Sequence, residues 1–248
     1  KKVSGLEPDI IGFGTPGTID AESGLIKNSN SICYNGKPLQ DDLGDQLGIP
    51  VILENDANCF ALAETHFGIV REIDPGASVV FGIIMGTGVG GGIVVEGQVI
   101  KGKHGIGGEW GHNYLDGSGG KCYCGRTGCV ETVLSGPALE KYYFRASGIE
   151  KKLPEIYRDY AKEKKYAVLT MDRLVHFFGK AVAVVINIID PDVIVIGGGL
   201  GNMEILYTRG KEELRKYIFN HSVFCKIVRP KLGDSAGVFG AAALGMKV

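Results

Sequence analysis

The sequence predicts an α/β protein, on three observations. Short apolar runs repeatedly end in glycine-rich or polar turns and lead into helical stretches. Strand and helix patterns alternate along the chain instead of segregating. Glycine, at 39 of 248 residues, clusters at those turns, which marks backbone that needs a positive φ or close approach to a neighbour.

Asp9–Phe13 reads as a short strand ending in Gly14-Thr15-Pro16-Gly17. A second apolar run, Val51–Leu53, ends at Glu54-Asn55-Asp56. Ala57–Phe67 follows as a helix, with Ala57, Phe60, Ala61 and Ala63 as its apolar positions and Gly68 as its stop. Ser78–Met85 and Gly91–Val95 read as strands flanking a glycine turn, a hairpin-like pair. Lys101–Thr132 is irregular and rich in Gly, Cys and His. Helices are expected over Pro137–Arg145 and Pro154–Lys165. Met171–Ile189 is the longest helix, apolar nearly all round in its second half and therefore expected to be buried. Val193–Ile196 is a buried-type strand entering Gly197-Gly198-Gly199, and Gly237–Met246 reads as a small-residue helix.

Composition narrows the function. Hydrophobic residues make up 44% and charged residues 22%, ordinary values for a globular protein. With 27 Lys+Arg against 28 Asp+Glu the chain has no basic excess, so nucleic acid is not an expected partner. No apolar run approaches the ~18–20 residues of a membrane span, and no membrane partner is expected. The opening Lys1-Lys2-Val3-Ser4-Gly5-Leu6-Glu7 lacks the apolar stretch of a signal peptide, so a cytoplasmic location is expected. The chain does not begin with Met, which suggests native sequence before Lys1.

The most specific motif is His112-(x9)-Cys122-x-Cys124-(x4)-Cys129. Three thiols and an imidazole within eighteen residues match the closed tetrahedral set of structural zinc. Free thiols or a redox pair are the alternatives; the third cysteine and the histidine favour zinc. A closed site leaves no open position for water, so this zinc fixes a loop and does no chemistry itself. The loop carries Glu109 and Glu131 close to the ligands. Their spacing suits bidentate contact to neighbouring hydroxyls but equally suits ordinary surface carboxylates. His112 could ligate through one ring nitrogen and donate from the other.

Other motifs remain ambiguous by themselves. Asp56 lies between a strand end and a helix start, where α/β proteins place ligands, yet Asp is also a preferred helix cap. Gly86-Thr87-Gly88 with Gly90–Gly92 could cradle phosphate through exposed N–H groups, or simply turn a hairpin. Gly197, Gly198 and Gly199 would let backbone approach a flat ligand such as a nucleobase.

Taken together and in this order, these residues strongly resemble the ROK family of sugar kinases and related repressors, over essentially the whole chain. The carrying segments are Gly14–Gly17, Asn55-Asp56-Ala57-Asn58, Gly86-Thr87-Gly88, Glu109-Trp110-Gly111-His112, the run Cys122–Glu131, and Gly197–Gly199. Lys27–Ser31, Glu109–Asn113, Asn187–Asp192 and Gly233–Gly237 look most like bacterial fructokinases of the manno(fructo)kinase type, with N-acetylglucosamine kinases also similar.

The resemblance implies an actin/hexokinase-like (ribonuclease H-like) fold with two α/β lobes closing over a cleft. Residues 1–72 with the C-terminal helix 236–248 would form the smaller lobe, and 73–235 the larger lobe with the zinc loop and the nucleotide-side glycines. It implies ATP-dependent phosphorylation of a hexose, usually at O6, with fructose expected first and mannose or glucose also accepted. Asp56 would be the general base. Asn30, Asn55, Glu109, His112 and Glu131 would hold the sugar. Gly86, Thr87 and Gly88 would take phosphate and Gly197–Gly199 the adenosine side, with Mg²⁺ on the phosphates and zinc held by His112, Cys122, Cys124 and Cys129. A homodimer is expected on the same ground. The family's leading Asp-x-Gly-Gly-Thr phosphate loop does not occur in this sequence. The expectation is therefore an incomplete N-terminal lobe, from a fragment of a longer kinase or an inactive truncated one. The sugar-sensing body of a ROK-type repressor is a further reading of the same resemblance.

Overall fold

A computed structural model describes residues 7–220 and 222–246. Residues 1–6, on which most of the signal-peptide reading rests, and the last two residues of the segment 236–248 expected in the smaller lobe lie outside the described residues. In chain order the first elements are β1 (Ile11–Thr15), β2 (Thr18–Ile19), β3 (Ile26–Lys27), α1 (Leu39–Leu47), β4 (Val51–Asn55), α2 (Asp56–His66) and α3 (Ile69–Ile73). Next come β5 (Val79–Met85), β6 (Val89–Val95), β7 (Gln98–Val99), α4 (Val130–Leu134), α5 (Gly136–Ser147), α6 (Leu153–Tyr160) and α7 (Lys165–Ile189). The chain then forms β8 (Val193–Gly197), α8 (Lys211–Leu214), β9 (Lys226–Val228) and α9 (Ala236–Ala243). Strands and helices alternate as expected. β1 runs parallel to β4, Ile11 opposite Val51 through Thr15 opposite Asn55. β2 and β3 are antiparallel, and a five-stranded sheet has the order β7-β6-β5-β8-β9.

The chain divides into two compact units. One takes the described part of Lys1–Gly82, then Gly92–Gly108 and Pro230–Val248; the other takes Ile83–Gly91 and Glu109–Arg229. This differs from the boundary expected between residues 72 and 73, with only 236–248 returning to the first part. Residues 92–108 group with the first unit because their hairpin lies hard against α2. A Cβ at Gly92 would fall 2.6 Å from the Ala57 carbonyl oxygen, and one at Gly82 would fall 2.7 Å from the Ala61 Cβ.

Within the first unit, Ile26, Val51 and Leu53 are buried, with Phe13, Ile19, Leu39 and Leu43 packed against them. α9 supplies small residues because it lies directly on β1 and α2. A side chain at Gly12 would overlap the backbone of Ala241, and one at Gly240 would overlap the backbone of Cys59. That helix ends at Ala243, three residues before the expected Met246.

Within the second unit, all five residues of β8 are buried, as a strand covered on both faces requires. Each buried Val or Ile there stabilises the fold by about 1.5–3 kcal/mol. α7 begins six residues before the expected Met171. Its second half is not buried all round: Val182, Ala183, Val185 and Ile186 are buried, but Val184 is 49% and Ile188 74% exposed. Apolar composition alone cannot report this, because an apolar helix can leave one stripe uncovered. Among the described residues no helix is long and apolar enough to cross a membrane.

Candidate active site and metal centre

In the first unit the candidate residues gather at the end of β4. β4 delivers Asn55 in extended conformation, and its side-chain oxygen accepts the Ala57 N–H at 2.9 Å. Asn55 is thus the cap of α2, and Asp56 is the first residue inside the helix instead of the cap. The capping duty that made Asp56 ambiguous belongs mainly to its neighbour, although an Asp56 carboxylate oxygen also lies 2.8 Å from the Ala57 nitrogen. Asp56 is open to solvent, yet the surrounding protein desolvates it and pushes its carboxyl above the ordinary carboxylate range. The Ala57 N–H and its own backbone N–H oppose that shift.

Asn55 also donates from its amide nitrogen to the Gly17 carbonyl at 3.2 Å. Gly17 has φ +84°, and a Cβ there would fall 2.7 Å from Lys27 O and 2.8 Å from Ser29 N. The Gly14–Gly17 turn therefore lies against the Ser29 segment. Asn35 clamps that segment by accepting the Ser29 N–H and donating to the Ser29 carbonyl, both at 2.9 Å. Asn30, exposed, follows immediately. So Asn55 is bonded to the Gly14–Gly17 turn, and Asn30 and Asp56 each directly follow a residue that contacts it.

Glu54 beside them was not singled out by the sequence reading. It is 7% exposed and accepts from Asn55 N at 2.9 Å and from Asn58 Nδ2 at 3.0 Å. Its other oxygen pairs with Lys101 Nζ at 3.0 Å. A carboxylate in an apolar strand is a visible signal, but its ion-pair partner Lys101 lies 47 positions away in sequence and so stays hidden.

In the second unit the cysteine-rich loop folds back on itself. Tyr114 bridges Cys129 and Lys121 bridges Thr127, both antiparallel. Val130 N–H donates to Asn113 O at 2.9 Å, and Leu115 N–H to Gly128 O at 2.7 Å. Gly128, at φ +76°, leaves 2.6 Å between a would-be Cβ and Asp116 O, so only glycine fits. His112, Cys122, Cys124 and Cys129 consequently bring one ligand atom each to within 4.8 Å of one another. Zn–S and Zn–N bonds of about 2.3 and 2.0–2.1 Å give tetrahedral edges of about 3.8 Å between sulfurs and about 3.5 Å between nitrogen and sulfur. Cys124 Sγ lies 3.6 Å from Cys129 Sγ, and Cys122 Sγ 3.5 Å from His112 Nδ1. The donor set fits a four-coordinate metal.

His112 Nδ1 turns to the thiols, and its Nε2 meets the Tyr123 hydroxyl at 3.0 Å. Glu109 precedes the short turn Trp110–His112, and Glu131 lies in the first turn of α4. Glu131 Oε2 accepts the Val89 N–H at 3.0 Å, a contact spanning 42 residues. The turn from Gly86 to Gly88 joins β5 to β6, with Thr87 exposed. Gly198 and Gly199 are likewise exposed at the end of β8, and Gly198 sits against the Met85 backbone. The Gly86 turn and the Gly197–Gly199 turn therefore adjoin in this unit.

The chain is similar to known proteins over nearly its whole length. The chain is 38% identical over 247 residues to an N-acetyl-D-glucosamine kinase of Vibrio atlanticus, covering 96% of this chain and 80% of that protein. It is 35% identical over 257 residues to a glucokinase of Thermotoga maritima, covering 97% and 80%. Its structure superposes on the crystal structure of a ROK hexokinase from Thermus thermophilus with a TM-score of 0.85 at 34% identity, covering 96% of this chain and 78% of that one. The fold is accordingly actin/hexokinase-like. The ROK family model matches residues 6–248, and the chain belongs to the ROK family.

Proposed function

We propose that this protein is an ATP-dependent kinase that phosphorylates O6 of a hexose, N-acetylglucosamine or glucose first among them. Support comes from family membership across residues 6–248 and from the names of the two curated relatives. Those names are N-acetyl-D-glucosamine kinase and glucokinase, which gives fructose, expected first from sequence, the place of a comparison substrate.

The observation that carries the reading is Asp56: a solvent-open carboxylate at the first turn of α2, raised above the ordinary range by desolvation. A raised pKa makes a stronger base, suited to accepting a hydroxyl proton. In the reaction the sugar oxygen bonds to the γ-phosphorus, its proton passes to Asp56, and ADP leaves. Phosphoryl transfer asks the protein mostly for positioning and charge neutralisation. Asn30, Asn55, Glu109, His112 and Glu131 hold the sugar hydroxyls, one hydroxyl replacing Tyr123 on His112 Nε2. Gly86, Thr87 and Gly88 receive the phosphates through their N–H groups, and Gly197–Gly199 border the adenosine. Mg²⁺, when bound, neutralises the phosphates and orients the transferring group. His112, Cys122, Cys124 and Cys129 would hold zinc, which when bound would fix the shape of the sugar-binding loop.

Steady-state assays with Mg-ATP and N-acetylglucosamine, glucose, mannose and fructose test the reading. The highest kcat/KM is expected for N-acetylglucosamine or glucose. Fructose in first place would restore the manno(fructo)kinase assignment, and absence of turnover with every hexose would refute a kinase.

A further inference from the structure

Glu131 is engaged with the protein's own backbone in this structure. One carboxylate oxygen is committed to the backbone of the glycine turn, through the Val89 N–H at 3.0 Å. The turn lies so close that a Cβ on Gly88 would fall 2.7 Å from the same oxygen. The segment that Glu131 opens also grips the other end of the turn, since Gly136 N–H donates to Gly86 O at 2.8 Å. Ser135 N–H donates to Glu131 O at 3.0 Å, which joins the two grips. Trp110 Nε1–H also donates to Gly90 O at 3.1 Å, and Gly111 leaves no room for a side chain against Val89 O.

We propose that Glu131 is a positioning residue for the phosphate turn, holding Gly86–Gly90 in its nucleotide-receiving shape. This rests on the reading above that the turn receives phosphate. Glu131 lies two residues after the metal-set residue Cys129, so the metal loop, the sugar carboxylate and the phosphate turn form one connected piece. Oε2 braces the turn and Oε1 is left for a sugar hydroxyl. One side chain then serves both substrates, and losing it weakens nucleotide binding even when no sugar is present.

Calorimetric titration of Mg-ADP into the sugar-free protein tests this on wild type, Glu131→Ala, Glu131→Asp, Glu131→Gln and Glu109→Ala. Glu131→Gln keeps a side-chain oxygen at the same reach and should bind within about 2-fold of wild type. Glu131→Asp keeps the charge but is one methylene short, and should weaken binding about 5- to 20-fold, as should Glu131→Ala. Glu109→Ala should leave Mg-ADP binding unchanged while weakening sugar. Amide exchange at Val89 should be slow in wild type and in Glu131→Gln, and faster in Glu131→Asp. Wild-type Mg-ADP affinity in a folded Glu131→Asp, or fast exchange at Val89 in wild type, would overturn the proposal. No Mg-ADP binding by wild type would overturn the phosphate-turn assignment itself, and the proposal with it.

Discussion

Asp56 occupies the first turn of α2, where the amide groups of a helix start favour a carboxylate, and yet its carboxyl is raised because the surroundings desolvate it. Two outcomes follow. As a base it must be ionised, so kcat/KM should fall as pH drops through a pKa above the ordinary Asp value of 3.8, the activity being present above that pKa and lost below it. A pH–rate profile of kcat/KM checks this. For stability the sign is opposite. A raised folded pKa favours the fold while the group is protonated, and that contribution is lost as pH rises through it. Asp56→Asn should therefore not lower the melting temperature at neutral pH, by calorimetry, while kcat falls by about 10²- to 10⁴-fold. The residue types of this site were legible in sequence, but the division of labour was not. Asn55 is the helix cap, and Asp56, the first residue inside the helix, shares the Ala57 N–H with it. The Glu131 contact to Val89 was not legible, because nothing in local pattern reports a bond across 42 residues.

Elements with dense local signals were legible: β4 into α2, the β5–β6 pair, β8 and α7. α1 was overlooked although Leu39, Leu43 and Leu47 recur at helical spacing and Gly48 ends it with φ +64°. Gly44 inside it and the polar residues around it mask the stripe, and none of its residues is fully buried. β9 is only three residues long and takes its identity from pairing with β8. Glu64 was equally hidden. It is 0% exposed in α2 and accepts N–H bonds from Ile69 at 2.9 Å, Lys231 at 3.0 Å and Leu232 at 2.9 Å. This carboxylate ties α2 to the start of α3 and to the segment that leads into α9. Glu64→Ala would leave three half-buried backbone N–H donors without their carboxylate and should destabilise the protein by about 2–3 kcal/mol in urea unfolding. At Gly240, where a side chain would overlap the Cys59 backbone, Gly240→Ala should cost about 1–3 kcal/mol in the same measurement.

For the whole molecule, the metal loop and the site residues divide between two compact units, each organised around its own close-packed turn. The loop's ligand set follows from its spacing, and two of its ligand-to-ligand distances match edges of a zinc tetrahedron. Purified protein should contain one zinc per chain by elemental analysis, and Cys124→Ser should lower that content and the melting temperature together. The chain spans 80% of the length of the curated relatives named above. The central claim, that Asp56 drives phosphoryl transfer to a hexose in this ROK chain, has one most direct measurement. It is Mg-ATP-dependent formation of hexose 6-phosphate from N-acetylglucosamine or glucose, followed by ³¹P NMR in wild type and Asp56→Asn. The account predicts a sugar-phosphate signal that grows with wild type and is lost with the folded variant. Equal product from Asp56→Asn, or none from a folded, zinc-loaded wild type, would contradict it.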